Sequence, residues 1–430
     1  MSFRIIPRNK INLYPGQIMD ALRFLISEKL YRSNQKNHIK KFENNFKEYI
    51  GTRHALSLSS GTHALCIILK SLDIKAGDEV ILASYNAPLI LDVLQIFHIK
   101  PVFVDVLDTS YTINPALIEA KITGRTSAII ATHIEGFVCR MGEIRDIAKK
   151  HNLVVIEDCA HAAGSEYKNR KVGSIGDFGL FSMGFMKQLN AFGGGVITTN
   201  NSQYYEKMLE QQRKFLRPNA NANIKKLITA VLYYSFLNTF MFHLFVYPVL
   251  LAYAALGKDP IYSSFERKKS AGKHPEVFLL SDMQAGIALR QLMRLDKLNC
   301  IRSEKLARLS CILSKRFKIQ SSEKNTWQAY LNFCFQSKHL QRLKKRLIFS
   351  GIDLQRSWMH NCDVTRKSPV AEKLQKEALY ISLNLSNKEI GYIQKVMQSK
   401  TFLRGVWKRR ACAIRTARGR RIGETENIIY

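Results

Sequence analysis

Acidic residues are scarce in this chain. Its 430 residues hold 34 Asp and Glu against 66 Lys and Arg, a formal net charge of +32. An imbalance of that size predicts attraction to phosphate-bearing partners such as nucleotide-linked substrates, anionic lipid or nucleic acid. Paired cysteines are missing too. The eight cysteines are scattered with no C-x-x-C spacing, which argues against a zinc site or a disulfide framework and fits a reducing compartment. The stretch "MSFRIIPRNKINLYPG" lacks the apolar core of a secretory signal. What is present is 46% hydrophobic and 23% charged, the composition of a globular protein, and the length predicts two or three domains.

From about residue 54 to 200, short apolar runs alternate with helical patterns: "HALSLSS" with "GTHALCIILKSL", "DEVILAS" with "APLILDVLQIFH", and "TSAIIATHI" with "MGEIRDIAKKHN" before "LVVIED". Strands alternating with helices of this length predict βαβ units and a mainly parallel sheet. "FGLFSM" and "GGVITTN" read as two more strands. From about 290 the pattern turns to long basic helices with a few short strands, a smaller C-terminal α/β domain.

Three features in this frame carry chemistry. "VVIEDCAHAAGSEY" ends a strand in Glu157 and Asp158 and follows it with small residues and His161. Ligands of open parallel sheets bind outside the carboxyl ends of the strands, so Asp158 is placed to face one. "SLSSGTHAL" sets Ser60, Gly61 and Thr62 between a strand and a helix start, where backbone N–H groups and the helix dipole favour phosphate; plain helix capping explains the same residues. Lys187 lies among Phe185, Met186, Leu189, Ala191 and Phe192. A lysine desolvated in this way has a lowered pKa and can act as a Schiff-base nucleophile. A phosphate cradle, a strand-end aspartate and an apolar-flanked lysine are together the parts a pyridoxal phosphate enzyme requires.

The run of "GTRHALSLSSGTHAL", "GDEVILASYN", "KPVFVDV", "HIEGFVCRMGEIRDIAKKHNLVVIEDCAHAAGSEY" and "GDFGLFSMGFMKQLNAFGGGVI" resembles the DegT-type sugar aminotransferases of fold type I. The likeness resumes in "LSDMQAGIALRQLMRLDKLNCIRSEKLARL" and "GIDLQRSW". The resemblance implies a pyridoxal 5'-phosphate enzyme that converts a keto-sugar, nucleotide-linked or lipid-linked, to an amino-sugar, with glutamate as donor and a homodimer as the working unit. It also implies roles. Lys187 would carry the cofactor as an imine, Asp158 would pair with the ring nitrogen, and His161 would lie near the ring and its phenolic oxygen. Thr62 and Ser182 would bind the phosphate, with Gly61 and His63 beside them. Three positions depart from the family's pattern: Ala87 where an aromatic usually stacks, Val277 near the place of a subunit-crossing Asn, and Gln328 in place of a substrate-side His. They favour the alternative of a catalytically silent relative acting as a membrane scaffold or basic binding module. Intact Lys187 and Asp158 favour the transaminase.

By this reading residues 1–20 form an N-terminal arm, 21–290 a large cofactor-binding domain, 291–400 a small domain and 401–430 a basic tail. The large domain carries an insertion, about 210–272, that the family does not usually have. Within it, residues 227–257 contain no Asp, Glu, Lys or Arg, longer than the ~20 apolar residues that cross a bilayer. A single crossing would separate the two halves of one catalytic fold. That leaves a re-entrant hairpin broken at Pro248, an in-plane helix, or a buried contact. Basic residues flank both ends (Arg213, Lys214, Lys225, Lys226; Lys258, Arg267, Lys268, Lys269), which fits both ends staying cytoplasmic. The reading favours attachment to the inner face of the membrane over nucleic-acid binding, while the eight basic residues between Arg404 and Arg421 fit anionic lipid, nucleic acid or a solvated, disordered end equally well.

Overall fold

The computed structural model describes residues 4–30, 37–215, 220–237, 239–256, 278–399 and 402. Its centre is a seven-stranded sheet built from β1 (His54–Leu58), β2 (Glu79–Ala83), β4 (Lys100–Val104), β5 (Thr126–Thr132), β6 (Val154–Asp158), β9 (Phe178–Ser182) and β10 (Gly195–Thr199). The order across the sheet is β1-β10-β9-β6-β5-β2-β4. Strands β9, β6, β5, β2 and β4 pair in parallel, and β10 runs antiparallel to both of its neighbours. The α/β class with a mainly parallel sheet is therefore as the alternation predicts.

Both faces of this sheet are covered, and for that reason its strands read as unbroken apolar runs. Val80, Leu82, Ile130, Ile156 and Ile197 pack into a core with helices α3 (Gly61–Ser71) and α4 (Pro88–Ile96). Their neighbours Ile81, Ala83, Ile129, Val155 and Val196 point the other way, into a core shared with α1 (Gln17–Leu30), α2 (Asn37–Ile50) and α5 (Met141–Lys150). The alternation along each strand sorts its side chains between the two cores.

Smaller pieces complete the frame. A two-residue strand β3 (Tyr85–Asn86) pairs with β15 (His360–Asn361). The short hairpin of β7 (Glu166–Tyr167) and β8 (Arg170–Lys171) takes β12 (Thr326–Trp327) as a third strand. A second sheet, β11 (Lys318–Ile319), β13 (Asn332–Gln336), β16 (Ala378–Ser382) and β14 (Gln355–Arg356), is antiparallel and has its own core around Phe333, Phe335, Leu379 and Ile381. The β3–β15 pairing joins the C-terminal part to the edge of the region where the parallel strands end.

The insertion is helical. After α6 (Ser202–Gln212) come α7 (Ala220–Leu237), one turn α8 (Thr239–Met241), a π-helical stretch Phe242–Val246 and α9 (Tyr247–Ala255). The two long arms meet at 74°. The break expected at Pro248 lies upstream instead, between Leu237 and Phe242. Pro248 lies inside a continuous helical run, just after the π-helical stretch, which loosens the hydrogen-bond ladder where the proline has no N–H to give. Among the described residues no single helix is long and apolar enough to cross a membrane. One side of the bent pair is anchored: Leu227 and Ala230 enter the main core, and Phe242, Tyr247, Leu250 and Ala254 cluster with Ile348. The Tyr247 hydroxyl donates to the Ile348 carbonyl at 2.7 Å. The opposite side is apolar and bare, with Ile228, Leu232, Phe240, Leu244, Val249 and Leu256 all more than half exposed. Val277, Lys258, the Arg267–Lys269 cluster and the basic run from Arg404 to Arg421 lie outside the described residues.

Candidate active site

Three adjacent strands end in a comb of side chains on one face. Ile130 and Thr132 on β5, Ile156 and Asp158 on β6, and Leu180 and Ser182 on β9 are i, i+2 pairs, and all six line one cavity of about 220 Å³. A strand places alternate residues on one face. The last turn of each strand therefore supplies a polar group directly above an apolar floor. The same cavity is bordered by Ser60, Gly61 and Thr62 at the start of α3, by Ala160 and His161 after β6, by Lys187 and by Gly193 and Gly194.

Local chemistry explains the placement of each. Ser60 caps α3, its Oγ accepting from the N–H of His63 at 3.1 Å. Gly61 lets the helix start approach the end of β9 closely: a Cβ there would stand 3.2 Å from the Cβ of Ser182. Asp158 is buried, and its Oδ1 accepts the N–H of Ala160 at 3.1 Å. Burial raises the Asp158 carboxyl above the ordinary aspartate range, opposed by that N–H and by the charge of Lys187. Glu157, one residue earlier, points to the opposite face, where both its oxygens are engaged. Oε1 accepts the N–H groups of Ile175 and Gly176 at 2.7 Å each, and Oε2 lies 3.2 Å from Nε2 of His133. The parity of the strand decides which carboxylate meets the cavity.

Lys187 sits in the loop between β9 and β10, its N–H bonded to the Gly184 carbonyl at 3.1 Å. Gln188 holds the loop from behind, donating to the carbonyls of His161 and, at 2.7 Å, Ala329. Phe185 stacks on Phe192 and, from the insertion, on Tyr233 at 5.5 Å between ring centroids. Burial lowers the Lys187 amine from the ordinary lysine range, with Asp158 and then Glu135 pulling the other way. Disfavouring the charged form in this way makes the amine a better nucleophile.

The cavity thus gathers Gly61, Thr62, Asp158, His161, Ser182 and Lys187. His63 is not brought to it. Its ring turns back, Nδ1 lying 2.8 Å from the hydroxyl of Ser59, because a residue in the first turn of α3 points around the helix from its neighbour. Ala87 lines the cavity with Leu89 and Ile90, so aliphatic side chains stand where an aromatic was expected. Gln328 lies away from the cavity lining, buried, donating to Thr326 Oγ1 at 2.6 Å. Two contributors were not foreseen from the sequence. Met359, from the C-terminal part, lines the cavity. Glu135 lies fully buried behind His161, its Oε1 3.9 Å from His161 Nδ1. An acidic residue inside "THIEGF", in a chain so poor in acid, was the available signal.

Comparison with known proteins shows what the chain resembles. The DegT/DnrJ/EryC1/StrS aminotransferase family matches residues 17–231. The chain is similar to the GDP-perosamine synthase of Escherichia coli O157:H7, 38% identical over 177 residues, 41% of this chain and 49% of that protein. It is also similar to the dTDP-3-amino-3,6-dideoxy-alpha-D-galactopyranose transaminase of Aneurinibacillus thermoaerophilus, 38% identical over 201 residues, 46% of this chain and 55% of that one. The chain thus spans about half the length of the curated relatives it matches. The solved aminotransferase of Psychrobacter cryohalolentis superposes with a TM-score of 0.69 at 24% identity, over 93% of this chain and 98% of that one. Likeness at that identity establishes the fold, that of fold type I pyridoxal phosphate-dependent transferases.

Proposed function

Since the chain belongs to the DegT/DnrJ/EryC1/StrS aminotransferase family, we propose that it is itself a transaminase acting on a keto-sugar. Glutamate is the donor in this reading, the sugar is carried on a nucleotide or a lipid diphosphate, and the working unit is a homodimer. The observation that carries it is the convergence of Lys187, Asp158 and Ser182 in one cavity at the start of α3. The residues fit pyridoxal 5'-phosphate on their own terms. A side chain at 61 would crowd Ser182, its Cβ 3.2 Å from that residue's own, and the helix start Gly61 belongs to favours an anion. A buried carboxylate, Asp158, stands at the far strand end, and His161 borders the same cavity.

Bound pyridoxal phosphate supplies an aldehyde and a ring that accepts electrons. The chain supplies the rest. Thr62 and Ser182 are the hydroxyls available to a phosphate, and Asp158 is the anion that would hold a proton on a ring nitrogen. Lys187 would be the amine that holds the cofactor's aldehyde and also the base that moves a proton. The test is a half-reaction that needs no sugar. Cofactor-loaded protein given glutamate alone is expected to release one equivalent of 2-oxoglutarate per site. Loaded protein that releases none, whatever amino acid is offered, would support the silent scaffold instead. A light-scattering mass of one chain would remove the homodimer.

The same reading places the protein on the cytoplasmic face of a membrane, held by the insertion. Its support is the bare apolar side of α7 to α9, to which α1, packed against α7, adds exposed Met19, Leu22 and Ile26. A net charge of +32 suits an anionic leaflet. Because Tyr233 stacks on Phe185, the docked face would hold the Lys187 loop close to a lipid-linked or membrane-channelled sugar. Changing Ile228, Leu232, Phe240 and Leu244 together to serine is expected to weaken binding to anionic vesicles by at least ~100-fold, since each buried side chain is worth ~1.5–3 kcal/mol. The melting transition should stay in place, these side chains being exposed. Intact protein that ignores such vesicles, or a soluble dimer that the same changes split, would make this face a contact between copies.

A further inference from the structure

Glu135 stands outside the roles given so far. It is fully buried, next to Gly136, with a left-handed backbone (φ 57°, ψ 21°) that a glutamate rarely adopts. Strain of this kind persists where surrounding structure enforces it, and it gathers at functional sites. One carboxylate oxygen, Oε2, accepts from Asn332 Nδ2 at 2.8 Å. The other, Oε1, has no partner, and neither does His161 Nδ1, 3.9 Å away. Two facing buried polar atoms left unpaired are costly in any fold. A small rotation of either side chain would bring them within hydrogen-bond reach, and sites often tighten so when filled.

Resting on the cofactor reading above, we propose that Glu135 is a positioning residue that sets, through Nδ1, which nitrogen of the His161 ring carries its proton, and so whether His161 offers the cavity a donor or an acceptor. Burial and the charge of Lys187 hold the His161 ring neutral, well below the ordinary histidine range. A neutral ring carries one proton, on one nitrogen. With Glu135 protonated, its O–H donates to Nδ1, so the ring proton sits on Nε2 and His161 is a donor to whatever it meets. When that acid proton leaves to solvent, the carboxylate accepts instead. The ring proton then sits on Nδ1, and Nε2 presents a lone pair. One proton is lost overall and the ring stays uncharged throughout.

The groups around Glu135 allow this near neutrality. Burial pushes its carboxyl up to about 7, against the Asn332 hydrogen bond and the charge of Lys187. The remaining titratable neighbours, Tyr85, Cys334 and Tyr380, are each raised above their ordinary ranges by burial and stay neutral. An anionic oxygen on a bound ligand therefore finds a donor at His161 below this pH and a lone pair above it. Cofactor affinity should fall as pH rises through the switch.

The test reads the ring directly in full-length, cofactor-free protein labelled with 15N-histidine, with His161→Gln to assign the signal. The His161 Nε2 resonance is expected to move from the protonated to the bare-nitrogen position with a midpoint near 7. Glu135→Gln should abolish that transition, and Asn332→Ala, which removes a hydrogen bond to the ionised form, should move the midpoint up. A wild-type ring that keeps one tautomer from about pH 5 to about 9, or a transition that survives Glu135→Gln, overturns the proposal. The pyridoxal phosphate dissociation constant should rise with pH in the wild type and lose that dependence in Glu135→Gln. A protein that shows the ring transition yet binds no pyridoxal phosphate supports this inference while sinking the cofactor reading.

Discussion

Lys187→Ala is expected to lower amino-group transfer by at least ~10⁴-fold, because one side chain supplies two functions. General acid–base catalysis alone is worth ~10²–10⁴-fold, and in the proposed reading the same amine would also hold the cofactor's aldehyde. Where one group serves as nucleophile and base, no neighbour takes over when it is lost. His161 is held neutral well below the ordinary histidine range and is a poor substitute base. The fold should be untouched. Lys187 contributes a charged amine that burial already disfavours, while Gln188 and the stacking of Phe185 on Phe192 hold the loop. The experiment pairs turnover with borohydride treatment in the presence of pyridoxal phosphate. In the intact protein the label should map to Lys187. A Lys187→Ala protein that still yields the stable adduct, or that keeps more than a hundredth of its turnover, would remove Lys187 from the mechanism.

What the sequence made legible follows from how far each signal reaches along the chain. Asp158 was legible because strand parity and strand ending are local: a β-branched run stops at a carboxylate, and the sheet brings Thr132 and Ser182 beside it in the same phase. Lys187 was legible for a similar reason, its apolar neighbours being adjacent in sequence. His63 was misplaced because adjacency in a helix is not adjacency in space. One residue beyond Thr62 the helix has turned about 100°, and the ring meets Ser59 instead of the cavity. Glu135 and Met359 were not foreseen because their meaning is made by long-range contacts: Asn332 is 197 residues from Glu135, and Met359 reaches the site only through the pairing of β15 with β3. The insertion was legible as an apolar element. Where it bends was not, since a proline that a π-helical turn accommodates looks the same in sequence as one at a sharp bend.

Asp158→Asn separates what the site needs for chemistry from what the fold needs for stability, and the two should move in opposite directions. Asparagine keeps the shape and can still accept the N–H of Ala160, but it carries no charge to hold a proton on a ring nitrogen. Turnover should fall by ~10²–10⁴-fold, with cofactor still bound. Asp158 also stands first among the groups that raise the Lys187 amine, so its loss should lower the pH at which that amine titrates. The stability sign runs the other way. Burial raises the folded Asp158 carboxyl above its unfolded range. Between the two values the folded state binds more protons, and stability is lost as pH rises through that window. At neutral pH the charged group is therefore a net cost, and the asparagine protein should melt no lower than the parent, with a flatter dependence on pH in the acidic range. Sites that hold buried charge for chemistry often trade stability for it. A variant that loses turnover together with several degrees of melting temperature would make Asp158 a structural residue. One that keeps full turnover and an unshifted Lys187 titration would leave the carboxylate with no part in the reaction.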